Sequence, residues 1–333
     1  MDGDQKLVTE ALGRMGLAAD RVTLTPLGGG VSCDVWLVEA PGRAAIVVKR
    51  ALAKLRVKDD WRAPPERAAA EIDWFRLAEK ILPGAAPKIM GEDAAHYMFA
   101  MEYLPPENHK LWKAELLAGH ADAGFAAQVG AALAKIHAAT AGKPDVAASF
   151  AHQAQFFALR ISPYLLTAAE RNPDVAPIIQ KLADNLGTAH IALMHGDVSP
   201  KNILIGPDGP VFLDAETACY GDPAFDLAFC LNHLLLKYVR KPDAAYLDSF
   251  RAMKDAYLSG VSWEATGAIE TRTAHLLAAL LLARMDGKSP VEYITDPAQK
   301  KLVREAAKRL LKSGESNLAK IADSWGEVIS ALQ

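Results

Sequence analysis

Cysteine is scarce in this chain, and the cysteines present have no metal-binding spacing. Cys33, Cys219 and Cys230 are the three cysteines among 333 residues, and no two of them form a CxxC pair. Disulfide frameworks and cysteine-ligated zinc sites need more numerous or more closely spaced cysteines. The pattern argues against both classes and favours a reducing compartment.

Long apolar runs and an excess of basic charge are also lacking. The strongest apolar run, residues 276–283, is far shorter than the roughly 20 residues that span a bilayer. Residues 1–5 are acidic and polar where a secretory signal would be basic and then apolar. The formal net charge is -3, whereas a general nucleic-acid binder would be basic. We therefore expect a cytoplasmic protein that binds neither membranes nor nucleic-acid polymers.

The hydrophobic pattern changes along the chain. With 51% apolar residues in 333, two lobes with a large core are expected. Strand-like segments come first, interrupted by the helical pattern ERAAAEIDWFRLAEKIL and ending with HYMFAMEYLPP at residues 96–106. From about residue 108 helical patterns dominate, except between residues 193 and 214. The pattern predicts an α+β protein with a β-rich front and a mostly helical back.

A glycine run lies between two of the predicted strands. Gly28, Gly29 and Gly30 precede Val31 and Ser32, and the missing side chains would let backbone N–H groups approach an anion closely. It is not a Walker loop, because no Gly-Lys-Ser/Thr follows and the next element is a strand. A simple hairpin turn is the alternative interpretation.

A lysine stands at the end of an apolar strand. A buried ammonium group must be paired, and Glu71 on the following helix is the natural partner of Lys49. The pair would leave Lys49 able to hold nucleotide phosphates. Solvent, Glu66 or Glu79 are alternatives on that helix face.

The segment HGDVSPKN, residues 195–202, places polar side chains between two apolar runs. Asp197 could accept or orient a hydroxyl proton, and Asn202 could reach a metal from the same turn. Asp214 follows the apolar residues VFL and would supply a second oxygen ligand. Such oxygens suit Mg²⁺, whereas His195 is expected to hold the loop by hydrogen bonds. A plain acidic turn is the alternative for any one of these residues, but together they follow the order that phosphoryl transfer requires.

The segments HGDVSPKNIL, VFLDAE and YGDPAFDLAF together resemble the aminoglycoside phosphotransferase and choline kinase-like family, which shares the protein-kinase fold. The resemblance continues through LGGGVSCDVWLV, VVKR, RAAAEIDWF and FAMEYLPP, and so covers nearly the whole chain. It implies a bilobal fold with a β-rich N-lobe at residues 1–101, a hinge at 102–107 and a mostly helical C-lobe at 108–333.

The resemblance also implies a role for each matching residue. Asp197 would be the catalytic base, Asn202 and Asp214 would bind Mg²⁺, and Asp226 would brace the catalytic loop. The implied contacts with ATP comprise the ion pair, the glycine loop and the hinge: Lys49, Glu71, Gly28, Gly29, Gly30, Ser32, Met101, Glu102, Tyr103 and Leu104.

Two departures from protein kinases bear on the substrate. Gly196 and Ser199 replace the Arg and Lys that flank the catalytic Asp there, and only residues 215–220 separate Asp214 from GDPAFD. This leaves no room for a long activation segment and argues against a protein substrate. The expected function is transfer of the γ-phosphoryl group of ATP to a hydroxyl of a small metabolite. An aminoglycoside antibiotic phosphotransferase and a nucleotide-binding regulatory pseudokinase are the alternatives.

The acceptor site is less clearly marked. Arg160 and Tyr164 share a helical face that could also be core, and Glu216 could face the acceptor or hydrogen-bond locally. Arg284 could enter the pocket, which would favour a neutral or acidic acceptor, or lie at a helix end terminated by Gly287. A choline-like acceptor would favour an aromatic cage, for which the sequence offers Tyr257, Trp263 and Tyr293. The sequence does not indicate an oligomeric state.

Overall fold

A computed structural model describes residues 3–19, 21–28, 32–56 and 62–330. The first part contains a five-stranded antiparallel sheet with strand order β1-β2-β3-β5-β4. Its elements are α1 (Gly3–Arg14), β1 (Thr23–Pro26), β2 (Cys33–Glu39), β3 (Ile46–Ala51), α2 (Arg67–Ile81), β4 (Ile89–Asp93) and β5 (Met98–Glu102).

Alternation along the strands divides the sheet into two apolar faces. Trp36, Val48 and Ala100 pack with helix α1 on one face. Phe99 lies on the other face, where it packs with Phe75 of α2. Lys49 is paired in register with Phe99, so its side chain points to the α2 face. This register explains why a lysine in an apolar strand meets a helix rather than solvent.

The second part of the chain is mostly helical. Its helices are α3 (Trp112–Ala118), α4 (Ala123–Thr140), α5 (Pro144–Ser149), α6 (Gln153–Phe156), a π-helix (Phe157–Leu166), α7 (Thr167–Arg171), α8 (Ala176–Thr188), α9 (Ala224–Arg240), α10 (Ala244–Ser259), α11 (Thr266–Asp286), α12 (Pro297–Ser313) and α13 (Leu318–Ser330). Short strands interrupt them: β6 (Lys110–Leu111), β7 (Ala192–Met194), β8 (Ile203–Gly206), β9 (Gly209–Phe212) and β10 (Cys219–Gly221). None of the helices in the described ranges is both long and apolar enough to cross a membrane.

The short strands hold the loops that matter for function. Strand β7 pairs with β10, and β8 pairs with β6 and β9, all antiparallel. The loop at residues 195–202 runs from β7 to β8 and includes the 3₁₀ turn Pro200–Asn202. Asp214 follows β9 directly. Helix α9 lies beneath the loop, and all of its residues except Arg240 are buried.

The α+β class predicted from the sequence is confirmed, with two differences in detail. Strand β4 was not predicted, and β5 covers residues 98–102 rather than 96–106. Pro105 and Pro106 cannot donate backbone hydrogen bonds to a ladder, and Tyr97 adopts a left-handed conformation with φ 55° before the strand begins. The lobe limits at 101 and 108 stay predictions; residues 103–109 contain neither helix nor strand.

Candidate active site

Asp226 braces the loop at residues 195–202. Its carboxylate accepts hydrogen bonds from the backbone N–H of His195 at 2.7 Å and of Gly196 at 2.9 Å. The carboxylate stands in the first turn of α9 and is fully buried. Gly196 has φ +77°, and a Cβ there would lie 2.5 Å from the carbonyl oxygen of Thr217. Glycine is therefore required at this position.

The His195 ring fixes the other side of the loop. Its Nε2 lies 3.1 Å from the carbonyl oxygen of Leu213, and its Nδ1 lies 3.2 Å from the backbone N–H of Asp197. The ring also packs edge-on against Trp74, with ring centroids 4.7 Å apart. Burial lowers the pKa of His195, which favours the neutral ring that donates through Nε2 and accepts through Nδ1. The anchoring role expected from the sequence is thus visible in the structure.

The two oxygens of Asp197 have different surroundings. Its Oδ2 lies 3.0 Å from Nη2 of Arg160, 3.1 Å from Nζ of Lys201 and 2.8 Å from Nδ2 of Asn202. Its Oδ1 is buried and has no hydrogen-bond partner among the described residues. Burial raises the pKa of Asp197, but Arg160 and Lys201 outweigh it and hold the pKa below its ordinary value. The result is an ionised carboxylate with one oxygen free to accept a hydroxyl proton.

Lys49 makes the predicted pair and one more. Its Nζ lies 2.8 Å from Glu71 on α2 and 2.5 Å from Oδ1 of Asp214. Burial alone would lower the pKa of Lys49, but the two carboxylates raise it well above its ordinary value. Burial would likewise raise the pKa of Asp214, but Lys49 lowers it. Both groups are therefore charged at neutral pH.

Asn202 and Asp214 offer oxygens of the type that Mg²⁺ prefers. The Asn202 amide donates to the carbonyl oxygen and the carboxylate of Asp197, which leaves its Oδ1 as an acceptor. Asp214 uses Oδ1 toward Lys49 and keeps a second oxygen. Within the described ranges, no group of three or more His, Cys, Asp or Glu side chains could hold a metal. The two side chains fit a Mg²⁺ ion whose remaining ligands are water and nucleotide phosphate oxygens.

The predicted nucleotide contacts are only partly described. Gly29, Gly30 and Val31 lie outside the described residues, and a Cβ on Gly28 would meet no atom within 4 Å. The carbonyl of Ser32 accepts from Arg67 and from the backbone N–H of Leu52. These contacts fix the C-terminal end of the glycine segment.

The predicted adenine contacts lie at the end of β5. Met101 is paired with Val47 and Ile89, and Glu102 accepts a hydrogen bond from the backbone N–H of Lys88 at 3.0 Å. Tyr103 and Leu104 follow the strand and are half-buried. The backbone groups of Tyr103 and Leu104 lie beyond the ladder, whereas those of Met101 and Glu102 are within it; the adenine contact stays a prediction.

Two residues of the site were missed in the sequence. The Arg67 side chain is fully buried, and it donates to Glu216 at 2.7 Å and to the carbonyl oxygens of Ser32 and Leu52. Arg67 stands four residues before Glu71, on the same helix face, and this spacing could have revealed it. Lys201 lies on the same loop as Asp197, four residues after it, and contacts its carboxylate. The structure thus engages Glu216 with Arg67, which is neither of the two settings expected for it.

The structure brings three predicted acceptor-site residues together. Arg160 contacts Asp197, its guanidinium lies 5.8 Å from the ring centroid of Tyr164, and Arg284 lies 5.5 Å from the same ring. The helix predicted here is a π-helix at Phe157–Leu166, in which Arg160 and Tyr164 are buried.

One further expectation needs correction. The rings of Tyr257 and Trp263 pack against each other and against His137. The Tyr293 hydroxyl instead bonds the His233 ring at 2.9 Å, so the three aromatic residues form no common cage. Gly287 ends α11, as the sequence predicts, and its backbone is extended there with φ -78°. A Cβ at Gly287 would lie 2.5 Å from the carbonyl oxygen of Ala283. This close backbone approach explains why the position is a glycine.

Comparison with known proteins agrees with this geometry. The family described as "Phosphotransferase enzyme family" matches residues 23–263. Methylthioribose kinase 1 of Oryza sativa subsp. japonica is 25% identical over 253 residues, which are 68% of this chain and 58% of that protein. The chain thus spans less than two thirds of that relative's length.

Solved structures show the same fold. A choline/ethanolamine kinase family protein from Mesorhizobium loti aligns with a TM-score of 0.59 at 18% identity, covering 97% of this chain and 98% of that one. An amicoumacin kinase in complex with AMP-PNP and Ca²⁺ aligns with a TM-score of 0.64 at 13% identity, covering 95% of both chains. The expected kinase-like, bilobal fold is confirmed.

Proposed function

Because the chain belongs to the phosphotransferase enzyme family, whose match spans residues 23–263, we propose that it transfers the γ-phosphoryl group of ATP to a hydroxyl of a small molecule. The observation that carries this proposal is the buried, unpartnered Oδ1 of Asp197. A buried acceptor oxygen without a donor is costly in a folded protein. A substrate hydroxyl would supply that donor.

The chemistry assigned to Asp197 follows from its surroundings. Arg160, Lys201 and Asn202 hold Oδ2 and fix the carboxylate plane, so that Oδ1 takes the hydroxyl proton as the hydroxyl oxygen bonds to the γ-phosphorus. The bond from that phosphorus to the bridging oxygen breaks, and ADP leaves with the electron pair.

The remaining side chains serve the nucleotide in this proposal. Lys49, fixed by Glu71, would hold phosphate oxygens, and Asn202 and Asp214 would hold Mg²⁺. The metal, when bound, would neutralise charge that develops on the phosphates. The acceptor is a small hydroxylated compound, since residues 215–220 leave no space for a peptide-binding activation segment. The buried free cysteines support the proposed cytoplasmic location.

The test is Asp197→Asn. We expect kcat to fall by about 10²–10⁴-fold, with ATP affinity within a few-fold of the wild type. Mg²⁺-dependent ADP release would be measured with methylthioribose, choline, ethanolamine, neutral sugars and aminoglycosides. Asp208→Asn, an exposed acid in the β8–β9 turn, is the matched control and should leave turnover unchanged. Full turnover of Asp197→Asn would overturn the assigned role, and tight ATP binding without any stimulated turnover would favour the pseudokinase alternative.

A further inference from the structure

Five polar side chains from three elements meet beside Asp197. The π-helix supplies Arg160 and Tyr164, α11 supplies Arg284, and α9 supplies His233 and Lys237. We call these five residues the basic cluster. In α9, His233 and Lys237 are four residues apart and share a face, and His233 packs edge-on against Phe229, whose ring Arg160 covers at 6.0 Å.

The basic cluster is continuous with the reactive carboxylate. Arg160 contacts Asp197 at 3.0 Å and lies over the Tyr164 ring, and Nη1 of Arg284 donates to the Tyr164 hydroxyl at 3.2 Å. Only Arg160 and Tyr164 therefore stand between Asp197 and the guanidinium of Arg284. A small molecule bound at Arg284 would therefore lie within two side chains of Asp197.

Arg284 is buried, and no carboxylate among the described residues forms an ion pair with it. It is 8% exposed, and its described hydrogen bonds, all from Nη1, go to Tyr164 and to Ser289. Its Nε is buried with no hydrogen-bond partner among the described residues. A buried guanidinium ordinarily has a carboxylate or phosphate partner.

Lys237 is in the same situation. It is 2% exposed, and its Nζ lies 4.6 Å from the ring centroid of Tyr293. No carboxylate of the described residues forms an ion pair with it, since the nearby Glu292 is paired with Lys113 at 2.5 Å. A cation–π contact attracts the ammonium group but leaves its charge in place.

From this geometry we propose that the acceptor carries an anionic group, a carboxylate or a phosphate, which Arg284 and Lys237 bind while Asp197 receives its hydroxyl. The proposal rests on the phosphotransferase function proposed above. An anion supplies the hydrogen-bond acceptor that Nε of Arg284 lacks and the counter-charge that both cations lack. Burial, followed by the positive charges of Arg284 and Lys237, holds the pKa of His233 well below its ordinary value, so His233 stays neutral and adds no further charge.

Matched acceptors test the proposal directly. Glycerol, glycerate and glycerol 3-phosphate form one set, and glucose, glucuronate and glucose 6-phosphate form a second. We expect kcat/KM of at least one anionic member to exceed that of its neutral parent by at least about tenfold, which corresponds to about 1.4 kcal/mol. The carboxylate and phosphate arms identify which anion the site takes.

Variants then locate the effect. Arg284→Gln and Lys237→Met should raise KM for the anionic acceptor by about tenfold or more, with a smaller change in kcat and no change in KM for ATP. Arg251→Gln and Lys135→Met remove exposed cations of the same types and should change nothing. Calorimetric titration of each protein with glycerate and with glycerol 3-phosphate gives the same comparison without turnover, and thermal unfolding checks that each variant is folded.

The outcomes separate the two proposals. If neutral and anionic acceptors are phosphorylated equally well, the anion site is wrong while phosphotransfer stands. If ATP binds but no acceptor stimulates ADP release, phosphotransfer is in doubt, and the titrations decide the anion site alone. Absence of anion binding in the wild type, or binding that Arg284→Gln and Lys237→Met leave intact, overturns the proposal.

Discussion

At the residue scale, Lys237 lowers the stability of the protein it belongs to. Its ammonium group is 2% exposed and has no carboxylate partner among the described residues. Burial is the largest cause that lowers its pKa, to about 7 from the 10.5 of an exposed lysine. The folded state therefore binds fewer protons than the unfolded state between about pH 7 and 10.5, and unfolding is favoured as the pH falls through this window.

We predict that Lys237→Met raises the free energy of unfolding at pH 7 by about 1–3 kcal/mol, because an apolar residue of similar length replaces an uncompensated charge. The gain should shrink as the pH approaches 10.5, where the lysine of the unfolded state also loses its proton and the two states no longer differ in bound protons. Urea unfolding at pH 7, 8 and 9.5 measures both effects. Lys135→Met, on the exposed side of α4, is the control; a destabilised Lys237→Met would show that Lys237 has an unrecognised counter-charge.

The sequence was informative for residues whose chemistry is carried by a short segment. Asp197, Asn202 and Asp214 were predicted as a set because two apolar strands fix the loops that carry them. The helix face of Arg67 could be read from the sequence, but its partner Glu216 could not, because Glu216 is distant in sequence and belongs to the other part of the chain. Arg284 stands in the last turn of α11, as one of its two interpretations predicts, and it also contacts Tyr164. Its entry into the acceptor pocket stays a prediction.

At the element scale, helices α4 and α10 approach each other most closely at a glycine. A Cβ on Gly130 would lie 2.3 Å from the carbonyl oxygen of Met253. Backbone cannot move aside as a flexible side chain does, so the helices would have to separate. The glycine is therefore a packing requirement inside a helix whose local propensity it weakens.

We predict that Gly130→Ala lowers the free energy of unfolding by about 1–3 kcal/mol. Its kinetic constants should be unchanged, because the contact is distant from Asp197 in the chain and shares no residue with the candidate site. Gly267→Ala is the control, since a Cβ there meets nothing within 4 Å, and better helix propensity should make it neutral or slightly stabilising. Denaturant unfolding compares the two, and equal stabilities would refute the close-contact argument.

Element type was predicted more securely than element geometry. The segment at residues 157–166 has the apolar pattern of a helix but folds as a π-helix, with Pro163 inside it. Proline has no N–H to donate and disturbs a regular ladder, so the change of register has a local cause. The helical pattern was recognised from apolar residues spaced at 3.6 residues per turn, and this spacing does not distinguish an α-helix from a π-helix over ten residues. Arg160 and Tyr164, four residues apart, are in contact as the helical spacing predicts, whereas the width of the turn could not be read from the pattern.

At the scale of the whole molecule, buried ion pairs join the β-rich part to the helical part. Lys49 of β3 contacts Asp214, and Arg67 of α2 contacts Glu216. Both carboxylates come from the short segment after β9. The two lobes therefore meet through charges rather than through an apolar surface alone, at the point where the candidate site lies.

We predict that Glu216→Gln lowers the free energy of unfolding by about 3–5 kcal/mol, because it leaves Arg67 buried without a counter-charge. The double variant Arg67→Met/Glu216→Gln should recover part of this loss, which a double-mutant cycle by urea unfolding would measure. Asp323→Asn breaks an exposed pair with Arg251 and should cost less than about 1 kcal/mol. A Glu216→Gln loss no larger than that of Asp323→Asn would contradict the prediction.

Helix α9 restricts how this protein can diversify. All of its residues except Arg240 are buried, so nearly every substitution in it disturbs packing on some side. The elements that face α9 tolerate substitution better. We therefore expect the substitutions that change acceptor preference to occur in those elements. The π-helix and the end of α11 near Ser289 contact the same basic cluster with exposed residues close by. We expect substitutions in these two segments to change the acceptor preference, while α9 keeps Asp226 in place under the loop.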